Sequence, residues 1–124
     1  MSTGAFGLRV TAAPIPLTYA CPDADLGAVV ARLVADVAAG RDVLLAWRGS
    51  EAYLVVEGVR RASAWAAGDR RDAAAYIGRV FRDVLDATLP ACPGHDHPGA
   101  LRTVPDGVGW HCPATGTLLR SYRL

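Results

Sequence analysis

The chain contains no lysine, asparagine or glutamine, so all 13 of its basic residues are arginine. The missing residues have AT-rich codons, and a GC-rich genome is the plainest reading of their absence. The functional alternative is bidentate anion recognition, which arginine performs better than lysine. Twelve acidic residues leave a net charge of +1, so no global field draws the chain to nucleic acid or to a membrane surface. No apolar run reaches the roughly 18 residues that a membrane-spanning helix needs. Residues Met1 to Gly7 lack a basic stretch followed by an apolar core. No signal peptide is expected, and the cytoplasm is the expected location. Cysteine is scarce and odd in number, three in all. That argues against a disulfide framework and for thiols or metal ligands.

What is present points to a folded chain. At 124 residues with 52% apolar composition, one domain over residues 1–124 with a real core is expected. Much of the apolar content is alanine, which suits closely packed helices or a partner surface. Residues 6–20 read as an extended edge strand or covering arm, since Pro14 and Pro16 forbid a central strand. Asp23 or Asp25 can then cap a helix, and Leu26, Val29, Val30, Leu33, Val34 and Val37 form one apolar stripe that Gly40 ends. Arg32 and Asp36 can pair on the opposite side.

Residues 43–47 and 52–56 read as a hairpin around Arg48-Gly49-Ser50-Glu51, and residues 59–65 as a third strand. A second helix over roughly 70–88 is expected from Ala73, Tyr76, Ile77, Val80, Phe81, Val84 and Leu85, with Pro90 as its stop. Arg79 with Asp83 and Arg82 with Asp86 would pair on its outer face. Residues 101–104 and 108–111 would form a hairpin around Pro105-Asp106-Gly107, with a further strand over 117–122. The expected fold class is α+β: two amphipathic helices on a small antiparallel sheet, with a C-terminal β-hairpin module over residues 91–116.

Specific chemistry is concentrated in that module. All three histidines and two of the three cysteines lie in Cys92-Pro93-Gly94-His95-Asp96-His97-Pro98 and Trp110-His111-Cys112-Pro113. Zinc takes four tetrahedral Cys and His ligands, often from two short-spaced pairs on two turns. Cys92 and His95, two residues apart across Pro-Gly, suit one knuckle, and Cys112 would begin the other. The stretch from Cys92 to Gly116 resembles a degenerate zinc ribbon, whose pattern is Cys-x2-Cys, a hairpin, then a second Cys-x2-Cys. His95 stands at the second ligand position and Thr115 at the fourth, where the pattern breaks.

The expected metal set is Cys92, His95, His97 and Cys112, with His111, Cys21 or water as other candidates for the fourth place. His111 and Cys112 are neighbours on one strand, so one of them should face away unless the strand bulges. A polar loop around a buried Cys112 is the plain alternative. Trp47, Trp65 and Trp110 are each expected in the core.

Three functional readings follow. The first is a small accessory or protein-interaction protein with a structural Zn2+ module, binding a protein partner or forming a homodimer. The second is a metal-dependent enzyme with an open zinc position and Asp96 or Glu57 as base. The third is an anion- or nucleic-acid-binding protein using Arg60, Arg61, Arg70, Arg71, Arg120 and Arg123 around Trp65. Nucleophile and phosphate-loop motifs are absent.

Overall fold

The computed structural model describes residues 18, 20–86, 94 and 97–124. The element order is α1 (Ala24–Ala38), β1 (Val43–Arg48), β2 (Glu51–Val56), β3 (Val59–Trp65), α2 (Arg70–Val84), β4 (Ala100–Val104), β5 (Gly107–His111) and β6 (Leu118–Arg123). The α+β class is as expected, and the strands form two antiparallel sheets, β1-β2-β3 and β4-β5-β6, the second built from the expected C-terminal hairpin with β6 added. Buried residues of both helices and both sheets belong to one apolar cluster, in which α1 and α2 pack on each other. Of the expected N-terminal arm, Thr18 is described: it bridges the outer edge of β1 through two backbone hydrogen bonds with Trp47. The rest of that expectation, apart from Ala20, lies outside the described residues.

Local chemistry accounts for the elements. The Asp23 carboxylate accepts from the Leu26 N–H at the start of α1, and Asp69 accepts from Asp72 at the start of α2. All six residues of the α1 stripe are buried; full burial of a side chain this size contributes about 1.5–3 kcal/mol. Ala39 and Gly40, both at positive φ, end α1. Glu57 and Gly58 are both at positive φ, as a two-residue turn between twisted strands requires, and carry β2 into β3.

Helix α2 departs from expectation in three ways. It ends at Val84, short of the expected 88: Asp86 takes a positive φ, and Arg41 donates to the Leu85 carbonyl. Tyr76 is half exposed, while Ala73, Ala74, Ala75 and Gly78 are buried. The small residues let α2 approach its neighbours; a Cβ at Gly78 would stand 2.5 Å from Leu101 Cδ2. Finally, Arg79 and Arg82 reach toward β4, and the expected pairs, Arg79 with Asp83 and Arg82 with Asp86, are not formed among the described residues. Arg79 donates to the Leu101 carbonyl at 3.2 Å and Arg82 to that of Gly99, while Arg71 reaches Val104 and Pro105. The outer edge of β4 leaves carbonyls unpaired, and α2 supplies the donors.

Arg32 likewise does not bond Asp36. It lies over the Tyr122 ring at 5.3 Å, and Asp36 instead binds the Tyr122 hydroxyl and Arg120. This set ties α1 to β6.

Candidate functional site

Strand alternation organises the expected metal residues. Leu101 is paired with Trp110 and Ala100 with His111. Residues opposite each other share a face of the sheet. Leu101 and Trp110 face the core. Cys112 follows on the Trp110 side and is buried, while His111 lies on the other side, half-buried, with Nδ1 3.0 Å from the Gly109 carbonyl. The expected divergence of His111 and Cys112 is therefore observed. A register shift between Trp110 and His111 affects the β5–β6 pairing, where β6 carries the additional residue, and leaves the β4–β5 register unbroken.

His97 and Gly99 precede β4, with Gly99 buried. His97 is half-buried, with Nδ1 3.4 Å from the Pro98 carbonyl. Cys112 also anchors the following turn: its N–H donates to Thr117 O and its carbonyl accepts from Gly116. Thr115 Oγ1 lies 2.8 Å from the Thr117 hydroxyl on the exposed side of that turn. The residue at the ribbon's fourth position is thus engaged with its neighbour.

Cys92, His95 and Asp96 lie outside the described residues. Among the described residues, no three His, Cys, Asp or Glu side chains converge. Glu57, the other base considered, is exposed in the β2–β3 turn, in the opposite sheet. Cys21 sits at the start of α1, beside an apolar cavity of about 320 Å³ whose walls include Leu45 and Trp47. Burial pushes its thiol pKa up. Arg82 is 14% exposed and covers the Trp110 ring at 4.9 Å, which places a cation beside the Gly99 end of β4.

The arginines expected to form one face are separated by their partners. Arg70 bridges Asp23 and Asp25, Arg71 caps the end of β4, and Arg120 binds Asp36. Another arrangement takes their place on the side of the first sheet away from its core face. There Arg48, Glu51, Tyr53, Val55, Arg60 and Trp65 are brought together by the pairings Arg48↔Glu51↔Trp65 and Val55↔Arg60. The guanidiniums of Arg48 and Arg60 lie 5.3 and 5.0 Å from the centre of the Tyr53 ring, and the Tyr53 hydroxyl donates to Glu51 at 2.7 Å. Tyr53 is only 7% exposed, whereas Trp65 is 61% exposed. Sequence reading assigned Trp65 to the core and missed Arg48 and Tyr53. The available signal was the alternation of 51, 53 and 55 against the buried 52, 54 and 56.

Comparison with protein-family models, with curated proteins and with solved structures returns no match. No helix among the described residues is long and apolar enough to cross a membrane.

Proposed function

We propose that the chain is a small accessory protein that acts by binding, with a structural zinc ion held by Cys92, His95, His97 and Cys112. The observation that supports this reading most is that Cys112 directly follows β5 and is buried, while His97 precedes its partner strand β4, next in sequence to the segment that carries Cys92 and His95. The donor set is chemically apt: two thiols and two imidazoles are the ligands zinc favours. Zinc there would join the segment after α2 to the second sheet and contribute to folding, not to chemistry. The outer edge of β6 and the half-exposed Leu118 are where a protein partner or a second copy would meet the chain.

Native mass spectrometry of protein prepared with zinc and reductant, followed by the same sample denatured, tests the reading. The expected result is one zinc per chain, lost on denaturation. A metal-free native mass would discard the zinc reading.

A further inference from the structure

The arginines divide by what their donors do. Arg41, Arg71, Arg79 and Arg82 bind backbone carbonyls, and Arg70, Arg120 and Arg123 lie beside carboxylates. On the first sheet, by contrast, Arg48 and Arg60 are held against the Tyr53 ring by cation–π contact. Neither has an acceptor among the described residues, and Arg48 Nε is shielded from water without a partner. Each guanidinium carries five N–H donors in a rigid fork. Two forks are therefore oriented but unspent, within about 10 Å of one another because both adjoin the same ring. The nearest acid on this face, Glu51, already accepts from Tyr53, and Arg61 adds a further exposed cation on β3.

Beside these forks is an indole with an open face. Trp65 occupies the same cross-strand row as Arg48, with Glu51 between them. At about 4.8 Å between strands, the two are roughly 10 Å apart across the row.

We propose that this side of the first sheet binds single-stranded nucleic acid, with phosphates on Arg48 and Arg60 and a base stacked on the exposed Trp65. Charge complementarity calls for an anion, and the exposed indole selects which anion. An acidic peptide would satisfy the guanidiniums and leave the ring without a partner, whereas a single strand uses both. Aromatic platforms beside cationic grooves bind single strands in this manner. A duplex keeps its bases paired and stacked, so it would leave Trp65 without a base to stack on. The inference uses the first sheet alone and does not depend on zinc.

The test is fluorescence anisotropy of a labelled octathymidylate titrated with the full chain between about 50 and 200 mM salt. Binding is expected to weaken with salt, with a slope of log K against log salt near −1.4 for two neutralised phosphates, at about −0.7 each. Trp65→Ala should weaken binding by about tenfold, and Trp65→Phe should restore most of it. The double variant Arg48→Gln/Arg60→Gln should lose the salt slope while circular dichroism shows the wild-type fold. If that variant does not fold, Arg60→Gln alone should reduce the slope by about 0.7. No binding at the lowest salt would overturn the proposal, as would a wild-type affinity for Trp65→Ala. Equal affinity for an oligoglutamate competitor would overturn it too and assign the face to an acidic peptide.

Discussion

Tyr122 shows how a single side chain carries the junction of α1 with the second sheet. Burial and then its hydrogen bond to Asp36 push its phenol pKa from the usual 10 to about 12. A folded-state pKa above the unfolded one contributes stability below the unfolded value, and that stability is lost as pH rises through the folded value. The protein should therefore lose stability between pH 10 and 12, and Tyr122→Phe should flatten that part of a urea-midpoint profile. Asp36 behaves oppositely. Burial raises its pKa, but hydrogen bonds from Tyr122 and Arg120 outweigh burial and hold it below the ordinary value of 3.8. Its contribution is present above that value and fades as pH falls through the folded pKa, so Asp36→Asn should reduce the loss of stability in acid. Among the proposed zinc residues, Cys112→Ser should lose metal and loosen the hairpin. His111→Ala should retain more metal than His95→Ala, because His111 lies across the sheet from Cys112; equal loss by elemental analysis would overturn that ranking.

Among the elements, α2 and β4 are matched as donor and acceptor. Arg71, Arg79 and Arg82 cover carbonyls along an edge that would otherwise invite another strand. Arg82 is the deepest of the three, and its loss also uncovers Trp110. Arg82→Ala should cost about 1.5–3 kcal/mol, the range for a hydrogen bond to a charged group, read from urea denaturation. Gly107 serves the β5–β6 pair differently: a Cβ there would collide with the backbone carbonyl of Tyr122. Backbone yields less readily than the end of a side chain, so Gly107→Ala should destabilise by about 1–3 kcal/mol through overpacking. Gly40→Ala, which has open space around its absent Cβ, should instead cost about 1–2 kcal/mol in the same assay through its positive φ alone.

For the molecule as a whole, one core supports two sheets that differ in what remains exposed. The first sheet presents the Arg48–Tyr53–Arg60 face, and the second ends beside the histidine- and cysteine-bearing segment. If zinc is structural, a chelator should increase amide hydrogen exchange in β4–β6 more than in β1–β3. Uniform change across both sheets would show that metal serves the whole core and not the hairpin.

The helices and strands were legible along the chain because their signals are local. The α1 stripe from Leu26 to Val37 and the third strand, Val59 to Trp65, rest on periodicity and turn residues that any short window contains. The divergence of His111 and Cys112 was legible for the same reason. The C-terminal hairpin was legible too, but not that β6 completes it into a second three-stranded sheet, since strand patterns do not specify which neighbours pair. Nor was the fate of the arginines: Arg79 and Arg82 have i+4 acids beside them in sequence, yet they reach β4 because its edge carbonyls lack donors. Trp65 resembles Trp47 and Trp110 in the sequence, yet it alone is exposed, because it falls on the side of β3 that no helix among the described residues covers. Periodicity sets which residues share a face, but only packing decides which face is buried and which donor meets which acceptor, because those pairings join residues far apart in the chain.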